Sequence, residues 1–136
     1  KGNRYIKNIR IAEGAVKLYD RMLSDGKIVA NGIRFDVNKA TIRPESMGVI
    51  NEICALMKEH PGLKFSIEGH TDSDGEADFN LGLSEKRAES VRNAMIDIGI
   101  EAERLITKGF GENIPVAPND SPEGKATNRR VEFVKM

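Results

Sequence analysis

Between Pro44 and Phe110 the hydrophobic period of this 136-residue chain switches repeatedly between the helical and the extended value, and that alternation restricts its fold most. Pro44 opens a stretch with Val49, Ile50, Ile53, Leu56 and Met57 at helical spacing, closed after Glu59 by Pro61-Gly62. Residues 63–68 (LKFSIE) then alternate apolar and polar side chains, as a half-buried strand does. A second helix is expected from near Ser84 to Ile98, with Gly99 as its C-cap, followed by a strand over 105–110. Upstream, residues 27–35 (KIVANGIRF) predict one strand interrupted near Asn31-Gly32; downstream, residues 111–128 predict a long loop with three prolines, and residues 130–135 (RVEFVK) an alternating strand. This order implies an α+β fold: a two-layer sandwich, with a mixed sheet of about four strands and two main helices on one face. Crossover helices favour parallel pairing of the strands they join. Residues 27–136 are expected to form the domain, and residues 1–26 an N-terminal arm or linker with a short helix over 12–23. No internal repeat or second domain is evident.

Composition removes several function classes. Twenty-one basic and 21 acidic side chains leave no net charge, against a general nucleic-acid binder and a polybasic membrane-surface mode. No apolar run is long enough for a transmembrane helix, and residues 1–10 (KGNRYIKNIR) have no secretory apolar core. The chain is expected to be cytosolic or a mature or excised piece of an exported protein. Cys54, the lone cysteine, falls among apolar helix residues and is expected to be a buried core residue.

The functional signal begins at Arg87. At about 100° of turn per residue, Ala88, Val91, Ala94, Met95 and Ile98 cluster on one helix face, and Arg87 lies within that cluster. A guanidinium directed at a core needs a partner, since an unpaired buried charge is costly. The acidic loop from Asp72 to Asp78 enters this helix, and Asp72 follows a strand end in the layer that Arg87 enters. Two readings stand side by side: an Asp72–Arg87 salt bridge that fixes the loop, or a fixed anion and cation that hold a ligand bearing both charges. Asn128-Arg129-Arg130 adds a basic pair, expected as two solvated charges at a strand end, one facing the helices and the other solvent.

Metal and catalytic patterns are weak. Gly75 follows only two aspartates, and the twelfth position from Asp72 is Leu83, so the EF-hand pattern fails. The remaining loop carboxylates suit a solvated turn before a helix N-terminus. His70, Asp72 and Asp74 form at most a fragment of a hydrolytic metal site, and the other histidine, His60, stands beside Pro61 at a helix end. No Ser-His-Asp set and no glycine-rich phosphate loop can be assembled.

Phe35-Asp36-x-Asn38, Gly69-His70-Thr71-Asp72-x-x-Gly75, Asn80-x-x-Leu83-Ser84-x-x-Arg87-Ala88-x-x-Val91, Gly109-x-Gly111-Glu112-x-x-Pro115 and Asn128-Arg129-Arg130-Val131-Glu132 occur in this order and spacing. The combination resembles the OmpA-like (OmpA/MotB C-terminal) peptidoglycan-binding domain over residues 27–136. The resemblance implies a periplasmic, outer-membrane-associated α+β domain that grips the cell-wall stem peptide without covalent attachment. By the same resemblance Asp72 and Arg87 hold the diaminopimelate residue, with Thr71, Asn80, Asn38 and Arg129 in the pocket and Phe35 and Asp36 lining it. No cofactor, metal or enzymatic turnover is implied, nucleic acid is not a partner, and membrane association lies in regions outside this chain. The alternative within binding proteins is a motor-stator or envelope-scaffold subunit acting on a protein partner. A metal-dependent hydrolase using His70, Asp72 and Asp74 is the distant alternative. Residues 1–26 do not match the core motifs and are expected to link to a barrel, a lipid anchor or a transmembrane helix. Asp74 and Glu76 make the loop unusually acidic for this resemblance.

Overall fold

Helix formation starts where proline permits it. Pro44 begins a 3-10 turn, Pro44–Ser46, that runs into helix α1, Met47–Glu59, whose Ile50, Ile53, Cys54, Leu56 and Met57 are buried. Arg104, itself buried, donates to the carbonyls of Met57 (2.7 Å), His60 (2.8 Å) and Leu63 (3.0 Å), satisfying the end of α1 and the chain that follows it. This computed structural model describes residues 19–136.

The strands are β1 (Lys27–Ala30), β2 (Phe65–His70), β3 (Leu105–Gly111) and β4 (Arg130–Lys135), in the sheet order β1-β4-β2-β3. β4 runs antiparallel to both β1 and β2, whereas β2 and β3, joined by a helix, are parallel. Residues two apart share a face, which puts Ile28, Ala30, Phe65, Ile67, Val131 and Phe133 on one side, in one core with α1 and with helix α2, Ala77–Ile98. The expected mixed four-stranded α+β sandwich is therefore the fold found.

Four expectations on its elements need correction. β1 stops at Ala30, and Phe35 makes only an isolated antiparallel bridge with Ile42. β2 is buried on both faces, Glu68 only partly, rather than half-buried: it is a central strand, and on the face away from the helices Ser66 donates to Glu68 and His70 stacks on Phe110. α2 begins at Ala77, two turns before Ser84; those turns bury only Asn80 and Leu83 and leave Phe79 exposed, so they carry no apolar periodicity. The long loop contains helix α3, Pro122–Asn128, with Ser121 Oγ accepting from Gly124 N at 3.0 Å. The helix expected over 12–23 falls outside the described residues up to 18, but residues 19–25 are helical and bury Met22. Among the described residues no helix is long and apolar enough to cross a membrane.

Candidate functional site

Two glycines bring the site together. A Cβ at Gly69 would lie 2.4 Å from the Ser84 carbonyl oxygen, and one at Gly109 2.5 Å from the Glu85 backbone nitrogen, so α2 rests directly on β2 and β3. Ser84 Oγ fastens the contact, donating to Leu81 O (2.7 Å) and accepting from Gly111 N (2.9 Å). One turn further on, Arg87 reaches the same end of the sheet as Thr71 and Asp72, just past β2, and Arg129, just before β4. The segment between β1 and α1 forms the third wall. Its backbone is pinned where Ser46 Oγ accepts from Arg34 N (2.6 Å) and Arg34 O accepts from Arg43 N (2.9 Å), and Asn38 turns in the left-handed region (φ 58°). A cleft of 620 Å³ lies between these walls.

The charges pair differently from the expected Asp72–Arg87 bridge. The buried Asp72 carboxylate accepts from Asp74 N (2.9 Å) through Oδ1 and from Arg129 Nη1 through Oδ2. Arg87 donates instead to the carbonyls of Lys39 (2.9 Å) and Asp36 (3.4 Å), with its guanidinium 4.9 Å from the Phe35 ring centroid. Among the described residues no carboxylate lies within salt-bridge distance of it. Asp72 still acts on it at longer range: burial lowers the Arg87 pKa, Asp72 opposes that shift, and Arg129 adds to it. The Arg87 guanidinium is thus held by two backbone carbonyls and the Phe35 ring, with no carboxylate paired to its charge among the described residues. Arg129 and Arg130 are not two solvated charges. Arg129 reaches across to Asp72, while Arg130 is buried and donates to Glu132 Oε2 (2.6 Å) and Ile114 O (3.0 Å).

The other expected site residues divide by role. Thr71 Oγ1 donates to Asp72 O (2.8 Å), and Asn80 Nδ2 donates to Asp74 O (2.9 Å) and Glu112 Oε1 (3.2 Å), so both shape the acidic loop from within the cleft. Phe35 and Asn38 line the cleft. The Asp36 carboxylate does not: it faces Arg43 at 3.9 Å and serves the site only through its carbonyl. Sequence reasoning missed Arg34, which lines the cleft, and Lys125, which pairs with Asp74 at 3.1 Å. The Ser121-Pro122 start of α3 was the available signal for Lys125; nothing local marked Arg34.

Residues 34–129, which contain Arg34, Phe35, Asn38, Asp72, Arg87 and Arg129 of this cleft, match the OmpA family. The chain belongs to that family. Relatives of this OmpA-family chain include the probable lipoprotein YiaD of Escherichia coli (strain K12), 38% identical over 128 residues, which cover 86% of this chain and 58% of that protein. Outer membrane porin F of Pseudomonas aeruginosa is 41% identical over 101 residues, covering 74% of this chain and 29% of that one. The chain therefore spans little more than half of the first relative and under a third of the second. The crystal structure of the peptidoglycan-associated lipoprotein from Burkholderia pseudomallei superposes with a TM-score of 0.70 at 29% identity, covering 76% of this chain and 88% of that one.

The OmpA-family fold also separates the residues of the metal reading. Asp72 and Asp74 are held by Arg129 and Lys125, and the ligating atoms of His70, Asp72 and Asp74 do not converge. His70 points instead to the sheet face opposite the helices, near Glu68 and Glu132 and stacked on Phe110 with centroids 5.3 Å apart. There Glu132 accepts from Lys27 (3.0 Å) and Arg130 (2.6 Å), and Glu68 from Ser66 Oγ (3.1 Å). Burial alone would raise the Glu132 pKa, but the hydrogen bonds from Arg130 and Lys27 outweigh it and leave the carboxyl below its ordinary range. Two carboxylates beside two cations already balance, and the set reads as an ion network under the sheet.

Proposed function

We propose that this domain binds peptidoglycan noncovalently through the diaminopimelate residue of the stem peptide, and that it anchors an outer-membrane or envelope protein to the cell wall from the periplasmic side. The observation that carries this reading is the buried Asp72 carboxylate flanked by Arg87 and Arg129 in one cleft. The free end of meso-diaminopimelate holds an ammonium and a carboxylate on one carbon. Asp72 receives the ammonium, and the planar Arg87 fork takes the carboxylate bidentately. Arg129 shares Asp72 while the ligand is bound, and Thr71, Asn80 and Asn38 complete the polar wall. Family membership and the likeness to a peptidoglycan-associated lipoprotein support the assignment.

Each charge-assisted contact contributes about 1.5–3 kcal/mol before desolvation, so a single stem binds modestly and retention comes from many stems engaged at once. The role is attachment without turnover. A lysine stem, which lacks the second carboxylate, leaves Arg87 without its ligand partner and binds less well. The test is sedimentation of the domain with diaminopimelate-type sacculi, beside Arg87→Ala and Asp72→Ala variants shown by thermal melts to be folded. Pelleting by the wild type and its loss in both variants is the expected result. Equal pelleting by folded variants would overturn the assignment.

A further inference from the structure

The charge in the cleft exceeds what one diaminopimelate head can neutralise. That head, an ammonium with a carboxylate, carries no net charge. Of the charged groups lining the cleft, Arg130 is paired with Glu132 and Asp74 with Lys125, which leaves three guanidiniums, Arg34, Arg87 and Arg129, facing the single carboxylate of Asp72. Arg129 is committed to Asp72, and Arg87 to the ligand under the reading above. Arg34 is the cation left over. Its side chain is exposed and makes no hydrogen bond or ion pair among the described residues; it acts on Glu45, on the neighbouring turn, only at longer range, and that carboxylate is bonded by Arg43 Nε at 3.0 Å.

Two further features make Arg34 a binding group and not only a solvated charge. Its backbone is fixed on both sides, its N–H on the buried Ser46 hydroxyl and its carbonyl on Arg43 N, so the side chain leaves from a rigid point on the cleft wall. The preceding Ile33 is anchored in the core, and the following Phe35 carries the Arg87 guanidinium over its ring, which puts Arg34 in the chain directly beside the clamp. The cleft's 620 Å³ lies in the range, about 300–1,000 Å³, of sites that enclose molecules well beyond one amino-acid head.

We propose that Arg34 receives a second carboxylate of the stem peptide, the free α-carboxylate of the D-glutamyl residue next to diaminopimelate, so that the domain favours stems in which that group is not amidated. The proposal rests on the diaminopimelate reading of the same cleft. Amidation removes the charge and replaces one of the two acceptor oxygens with an N–H donor, which a guanidinium fork, itself only a donor, cannot bond.

The test uses two soluble probes, N-acetylated L-Ala-γ-D-Glu-meso-diaminopimelate and its D-isoglutamine counterpart, titrated calorimetrically at low ionic strength against the wild type, Arg34→Gln and Arg87→Ala. The wild type should bind the free acid about tenfold more tightly than the amide, the scale of one charge-assisted contact. Arg34→Gln should lose that preference by weakening the free acid about tenfold more than the amide. A wild type that binds both probes equally, or an Arg34→Gln variant that keeps the preference, overturns the role of Arg34 and leaves the diaminopimelate clamp standing. A wild type that binds neither probe, or an Arg87→Ala variant that binds both as well as the wild type does, overturns the clamp, and the role of Arg34 falls with it.

Discussion

With its ring stacked on Phe110 and both ring nitrogens buried without a hydrogen-bond partner, His70 is held neutral: burial first, then Arg130, lower its pKa from 6.5 to about 4, with Glu132 opposing. The unfolded chain takes up a proton as the pH drops through 6.5, while the native state resists until about 4. The stability that a neutral His70 contributes is therefore complete above pH 6.5 and is lost across 6.5 to 4, by up to about 3 kcal/mol. His70→Phe, which keeps the stack, should flatten the fall in Tm across that window; an unchanged slope would assign the acid sensitivity elsewhere. At this scale Arg87 was legible because helical spacing depends on a fixed local period. The partner of Asp72 was not, since Arg129 is 57 residues away and meets it only through the pairing of β4 with β2. Alternation did separate Arg129 from Arg130, but it could not show that Arg130, on the face away from the helices, would find Glu132 and a loop carbonyl waiting for it.

Gly69 and Gly109 set the distance between α2 and the sheet, and their substitution tests whether that distance matters. An added methyl at either position meets α2 backbone, which cannot swing aside as a side-chain end can. Gly69→Ala and Gly109→Ala should each destabilise the domain by about 1–3 kcal/mol in urea unfolding and weaken sacculus pelleting by moving Arg87. Gly62→Ala, where nothing lies within 4 Å, is the matched control and should leave both readouts near wild type. Among the elements, the end of α1 and both ends of β4 were legible, because Pro61-Gly62 and the alternation of 130–135 are local signals, whereas Pro44 opens a 3-10 turn three residues before α1 begins. α3, only seven residues long, is too short to display a period, and the first turns of α2 face the acidic loop rather than the core.

For the whole molecule, the domain begins earlier than composition implied. Met22 is fully buried in the main core, Tyr19 stacks on His60 with ring centroids 4.0 Å apart, and Gly26 accepts from Lys135 N at 2.9 Å, so residues 19–26 pack with the sandwich and are not simply a linker. Met22→Ala should cost about 2–5 kcal/mol in urea unfolding, and a chain starting at Lys27 should be less stable than one starting at Tyr19. A polar segment with scattered apolar residues hides such a contact, because a single buried methionine leaves no periodic trace. The order of the strands also has a mechanical meaning. The cleft sits at the Ala30–Arg130 end of the β1–β4 ladder, whereas Lys27 and Val134 stand at the other end. Under the proposed attachment, a pull between a ligand held in the cleft and the start of β1 at Lys27 acts along the strand axis. It loads the rungs of that ladder together in shear, where peeling would break them one at a time.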